Sequence, residues 1–171
     1  MLIREATSAD WEAIWPIFHA IAKAADTYGY DPATSKDQAK QIWLDTPRKT
    51  YVCVIEGEVL GTYYLKTNHA GPGDHVCNCG YMVAAKARGL GLATSMCQHS
   101  QTVALALGYQ AMQFNFVASS NKRAVRLWHR LGFETVGRLP KAFNHPTLGL
   151  VDALIMYRWL KDEANVHLGK G

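Results

Sequence analysis

Arg88-Gly89-Leu90-Gly91-Leu92-Ala93 carries the residue types from which an anion seat is built. The run follows an apolar stretch, Gly80-Tyr81-Met82-Val83, that reads as a strand, and it opens a long helical pattern. A strand, a glycine-rich turn and a helix N-terminus aim several backbone N–H groups at one point, at the positive end of a helix dipole. Gly89 and Gly91 let the main chain approach a ligand without a Cβ in the way, and Arg88 adds a cation beside them. The chemistry indicated is the grip of a phosphate or diphosphate. The usual nucleotide motifs fit poorly. No Gly-Lys-Ser/Thr closes the run, which lies mid-chain and ends in Ala93-Thr94 where the dinucleotide fingerprint needs a third glycine.

Other residues could titrate or ligate. Asp152 falls within an apolar strand pattern, where a carboxylate either finds a partner or shifts its pKa upward. It is therefore a candidate base or amine-binding charge, with an ion pair to an arginine as the alternative. His69, His75 and His145 fall in loops, and His99 sits beside an apolar helical stripe as a satisfied boundary histidine. The four cysteines, Cys53, Cys77, Cys79 and Cys97, lack metal-knuckle spacing and read as buried reduced thiols. No metal site is expected.

The elements that must position these groups follow from the apolar spacing. With 171 residues and 49% apolar content, the chain fills one α/β core and is short for two. Strands are expected at Leu2 to Glu5, Thr50 to Ile55, Val59 to Lys66, Cys77 to Val83 and Ala111 to Val117, a short one reaching Val136 and ending at Gly137, and a last one from Leu150 to Trp159. Thr7 or Ser8 caps a first helix in which Pro16 predicts a kink or a late start. Thr34 or Ser35 caps a second. Gly89 to Leu107 holds the turn and its helix, and Ser120 or Asn121 begins another. The helix between Val83 and Ala111 makes those two strands parallel. Lys141 to Pro146 reads as a substrate-side loop, and residues 162–171 as a polar tail after a single domain spanning 1–161.

The net charge of +4 is small and scattered, apart from Lys122, Arg123, Arg126 and Arg130, so nucleic acid is not an expected partner. No apolar run approaches membrane-spanning length and no secretory leader is recognisable, which points to a cytoplasmic protein.

The R-x-x-G-x-A pattern of Arg88 to Ala93 resembles the acetyl-CoA pyrophosphate loop of the GNAT acetyltransferases. Tyr81-Met82-Val83, Asn121 and Leu127-Trp128-x-x-Leu131-Gly132-Phe133 extend the resemblance over roughly residues 2 to 160. It implies a mixed α/β fold, mostly antiparallel, with one parallel central pair of strands splayed apart. It also implies a cofactor-binding set of Tyr81, Met82, Val83, Arg88, Gly89, Leu90, Gly91, Leu92, Ala93, Thr94, Asn121 and Arg130. Main-chain N–H groups near Val83 would hold the pantetheine arm and polarise the thioester. The implied reaction is direct acetyl transfer from acetyl-CoA to a small-molecule amine in a ternary complex. A homodimer is compatible with it.

Two positions depart from the family pattern. Trp128 stands where many members carry a proton-donating tyrosine, which leaves that role to water or His129, and Asn78 stands where phosphinothricin-type relatives carry a glutamate base. The segments Cys77-Asn78-Cys79-Gly80-Tyr81-Met82-Val83, Phe114-Asn115-Phe116-Val117, Arg126-Leu127-Trp128 and Val151-Asp152-Ala153 are similar to those of fungal proline-analogue (azetidine-2-carboxylate) N-acetyltransferases. Alternation puts Asn78 on a face with Gly80 and Met82, and Asn115 on a face with Gln113 and Val117. If both faces line the cleft, the two amides orient an amino or imino acid; otherwise they are polar residues satisfied by backbone. Asn78 and Asn115, with Asp152 from its place in an apolar strand, make up the expected catalytic set. A peptide acceptor, or a non-catalytic acyl-CoA sensor, is the rival expectation.

Overall fold

A computed structural model describes residues 1–161; the expected polar tail lies outside the described residues. Seven strands form one sheet in the order β1-β2-β3-β4-β5-β7-β6. These are β1 (Leu2–Glu5), β2 (Lys49–Ile55), β3 (Glu58–Thr67), β4 (Val76–Val83), β5 (Ala111–Ala118), β6 (Glu134–His145) and β7 (Gly149–Trp159). Every neighbouring pair is antiparallel except β4–β5, which is parallel as the connecting helix requires. The fold is the mixed α/β arrangement expected.

Helices cover both faces. Helix α1 (Trp11–Ala24) and the short α2 (Lys36–Lys40), which runs into a π turn over Gln41–Asp45, pack with Trp43, Val52, Tyr64 and Met82 on one face. Helices α3 (Leu92–Ala106) and α4 (Lys122–Arg130) pack with Cys77, Cys79, Tyr81, Met112, Phe114 and Met156 on the other. Period-2 alternation along β4 and β5 sends successive side chains to opposite cores.

The helix starts follow their caps. Thr7 precedes a 3-10 turn over Ser8–Asp10, and α1 begins at once after Asp10. The expected late start at Pro16 is not seen: Pro16 lies inside α1, which continues to Ala24. Ser35 accepts from the Gln38 N–H at the head of α2, and Asn121 accepts from the Ala124 N–H at the head of α4.

The β6 region corrects the sequence reading. Gly137 does not end the strand, and Lys141 to His145 are strand rather than a substrate-side loop. A Cβ on Gly137 would lie 3.3 Å from Ile155 of β7, so this glycine permits close strand approach. Pro140 falls where the register shifts between Leu139 and Phe143 on the edge strand β6, a place that tolerates a missing N–H.

Candidate active site

The β4–β5 ladder pairs Val76, Cys77 and Asn78 with Ala111, Met112 and Gln113 and then stops. Beyond Asn78 the strands part. On the far lip, β5 carries a bulge at Asn115 and Phe116, which shifts its register against β7. On the near lip, Ala84 N–H bonds to Leu60 of β3. Antiparallel alternation therefore turns the main chain of Met82 toward β3 and that of Tyr81 and Val83 into the opening.

The turn beyond β4 leads to the mouth of this opening. Gly89 has φ 92° and Gly91 φ 81°, left-handed values that L side chains rarely adopt. A Cβ on Gly91 would meet nothing within 4 Å, and one on Gly89 would meet only the Arg123 guanidinium, at 4.0 Å. The turn is thus unobstructed at the N-terminus of a 15-residue helix, where the first N–H groups (Leu92, Ala93 and Thr94) have no intrahelical acceptor. Leu92 itself is buried and anchors the turn, while Arg88 and Leu90 are exposed. The donor set suits a diphosphate.

These two features, a parallel pair that opens and an anion seat at its mouth, sit inside a region that matches a known sequence family. Residues 11–133 match the model of the acetyltransferase (GNAT) family. This chain belongs to that family. Part of it is 32% identical to N-acetyltransferase aca1 of Schizosaccharomyces pombe over 84 residues, 49% of this chain and 40% of the yeast protein. It is 43% identical to a GCN5-related N-acetyltransferase from Kribbella flavida, with a TM-score of 0.88, over 92% of this chain and 96% of that one. The acetyltransferase-like protein yncA of Salmonella typhimurium, whose structure holds acetyl-CoA, shares the fold at 23% identity and a TM-score of 0.80, over 96% of each chain.

Several of the expected cofactor-binding groups have other partners in the structure. Of Tyr81, Met82 and Val83, only Val83 keeps main-chain groups facing the cleft for a ligand. Met82 faces β3, and the Tyr81 N–H donates to the Tyr28 hydroxyl at 2.8 Å while its carbonyl accepts from the same hydroxyl at 2.7 Å. The Tyr81 side chain is core, bonded to Ser100 at 2.7 Å. Asn121 spends its Oδ1 on the Ala124 cap and keeps its NH₂ to donate. Arg130 is exposed on α4, while Arg123, on the same face about two turns nearer the helix start, is the cation over the Gly89 turn. Arg123 stood in the recognised basic cluster, but its spacing from the turn was not legible.

Amides gather on the α1/α2 face. Asn78 is buried; its Oδ1 accepts from Tyr64 at 2.8 Å, and its Nδ2 donates to the Gln113 carbonyl at 3.0 Å. Asn115 accepts from Gln113 Nε2 at 2.9 Å and donates to Asn68 at 2.7 Å. Asn115 is exposed on the β5 bulge, whereas Asn78 is buried. Asn68, Gln113 and Tyr64 were missed. The one signal for Tyr64 was Gly80, a glycine inside a strand: a Cβ there would lie 2.7 Å from the Tyr64 ring.

Asp152 does not join them. It lies two residues from Leu154 and four from Met156, whose side chains pack in the α3/α4 core, so alternation puts it on the face opposite Asn78. The Lys141 N–H donates to it at 3.0 Å and Arg138 at 2.7 Å, and these bonds, the Lys141 one foremost, hold its pKa below the usual carboxylate range. Of the two outcomes open to a carboxylate here, it finds partners, and these outweigh desolvation. The ion-pair alternative describes Asp152.

Trp128 is packing: its ring centroid lies 5.2 Å from Tyr81 and 5.1 Å from Phe114. His129 is tied to the Phe133 carbonyl at 2.9 Å. His99 is bonded to the Tyr63 hydroxyl at 2.6 Å, and burial lowers its pKa, as befits a satisfied boundary histidine. His145 ends β6 rather than lying in a loop, its ring accepting from the Thr147 and Leu148 N–H groups. Among the described residues no cluster of three His, Cys, Asp or Glu could hold a metal ion, and no helix is long and apolar enough to cross a membrane.

Proposed function

We propose that this chain transfers the acetyl group of acetyl-CoA to the nitrogen of a small amine, with an amino or imino acid such as a proline analogue as the favoured acceptor. The observation that carries the reading is the continuity between the open turn at Gly89–Gly91 and the main chain of Val83 inside the β4–β5 opening. Bound acetyl-CoA supplies an activated thioester. Backbone N–H groups of residues 91–94 and the Arg88 and Arg123 guanidiniums would hold its diphosphate. Asn121 NH₂ would hold the pantetheine arm, and Val83 N–H would polarise the acyl carbonyl.

The acceptor enters from the α1/α2 face. There Asn115 offers one amide backed by Gln113 and Asn68, and Asn78 secures the strands that carry it. Rate acceleration on this reading comes from orientation and a fixed donor, with the amine delivered neutral. Tyr28 stacks on Tyr30, and Gly29 sits against Phe116, which leaves a short pocket suited to a small acceptor rather than a peptide. The four cysteines are free and buried, which fits a reducing, cytoplasmic setting.

Thiol release from acetyl-CoA, measured with proline analogues, amino acids, polyamines and peptides, tests the proposal. Turnover with a small amino or imino acid is expected. Turnover confined to peptides would replace the acceptor class, and binding of coenzyme A without release of thiol for any amine would make the chain a sensor.

A further inference from the structure

Parting two strands inside a protein leaves main-chain groups that must find other partners. In the β4–β5 opening the Tyr81 N–H and C=O are such a pair, and the Tyr28 hydroxyl meets both, at 2.8 and 2.7 Å. One phenol, contributed from 53 residues away, does for Tyr81 what a continued β5 would have done. The hydroxyl stays neutral, since burial raises its pKa well above the ordinary tyrosine value.

The phenol is held in place. Its ring stacks on Tyr30 with centroids 5.4 Å apart and planes 8° from parallel, and it meets the Trp43 ring edge-on at 6.2 Å. Trp43 is fully buried and fixed through its indole N–H to Thr62 at 3.0 Å. The next residue, Gly29, lies against Phe116 on the far lip, where an added Cβ would sit 3.4 Å from the ring. Tyr28 and Gly29 together cross from β4 to β5 and close the inner end of the opening.

We propose that Tyr28 sets the length of acyl chain the site accepts. The inference rests on the acyltransferase reading above. The diphosphate seat lies beyond the C-terminal end of β4, so an acyl-CoA enters from that side and its acyl group points toward the Asn78 vertex. Val83 is the last residue on that lip whose main-chain donor faces the cleft without the phenol across it. Tyr81 lies two residues farther in, about 7 Å along the strand. An acetyl group fits that interval. A longer chain must push the hydroxyl off Tyr81, leaving a buried N–H and C=O without partners.

The test compares kcat/KM for acetyl-, propanoyl- and butanoyl-CoA with one amine acceptor, in the wild type and in Tyr28→Ala. The wild type is expected to lose roughly 10- to 200-fold for each added methylene. In Tyr28→Ala the butanoyl-to-acetyl ratio is expected to rise by about tenfold or more, with the Kd for coenzyme A itself unchanged. An unshifted ratio in a folded variant that still binds coenzyme A overturns the inference and leaves the acyltransferase reading standing. A wild type that releases no thiol from any acyl-CoA overturns both. If Tyr28→Ala does not fold, Tyr28→Phe decides: it keeps the ring and drops both hydrogen bonds, so a ratio shifted toward butanoyl supports the assignment and an unchanged ratio overturns it.

Discussion

The Tyr64 hydroxyl donates to Asn78 Oδ1 at 2.8 Å, at the last residue of β4 that still pairs with β5. The other end of the same amide donates to the Gln113 carbonyl on β5. Asn78 therefore clasps three strands at the vertex of the opening, and a glutamate there would present only acceptors to the Gln113 carbonyl. Replacing Asn78 by Ala strands two buried partners, at a cost of roughly 2–3 kcal/mol, seen as a fall in Tm of about 5–10 °C. A Tm within 1–2 °C of wild type, roughly the error of such a measurement, would show that the clasp is not what holds the vertex.

Asn115 has the same side chain in a different setting, exposed on the bulge, where the proposed function puts it against the acceptor. Asn115→Ala is expected to lower kcat/KM for the amine by about 10- to 100-fold while leaving the KM for acetyl-CoA within about twofold. Tm should change little, because the two bonds it makes, to Gln113 and Asn68, are exposed ones. Parallel losses for both substrates would place Asn115 in the scaffold instead of on the acceptor.

The contrast between these two asparagines marks what the sequence could and could not disclose. Strand, glycine turn and helix from Gly80 to Leu107 were legible because glycine placement and apolar period are local properties, and the parallel β4–β5 pair followed from the helix between them. The point where that pair opens was not legible. Both strands are strand-like over their whole lengths, and the opening depends on a bulge at Asn115–Phe116 and on Tyr28, far away in the chain. For Asp152 the choice between a base and an ion pair was not legible for a related reason. Its apolar flanks announced burial, but the Arg138 and Lys141 partners lie on the neighbouring strand β6, across a register shift that local pattern does not encode. Gly137 and Gly80 served close packing where a turn was the simpler reading for one of them.

Gly91 separates backbone strain from ligand space. Its φ of 81° disfavours any L side chain, and the position of its missing Cβ is open. Gly108, with φ 91° and the same open surroundings, stands at the opposite end of α3. Alanine at either position should cost about 1–2 kcal/mol of stability. Only Gly91→Ala should also raise the KM for acetyl-CoA, by about tenfold, because its methyl enters the anion seat. An equal rise in KM for Gly108→Ala would trace the effect to general loosening of α3.

Asp10 ties the first strand to the first helix, accepting from Arg4 at 2.7 and 2.8 Å and from the Thr7 N–H at 2.7 Å. The Arg4 bonds, aided by Thr7, hold its carboxyl far below the usual carboxylate range in the folded chain. A depressed folded-state pKa contributes stability that is complete above the unfolded value of about 4 and drains as pH falls through that value toward the folded one. Because Arg4 is 42% exposed, the pair is screened, and about 1 kcal/mol is the reasonable scale. Asp10→Asn should therefore lower Tm by about 2–4 °C at pH 7. The same gap should persist to higher pH and close as the solution is acidified below about pH 4. Thermal melts of both proteins across that range check it: a gap that stays constant to about pH 2 would mean that the Asn variant fails through packing and not through the lost charge.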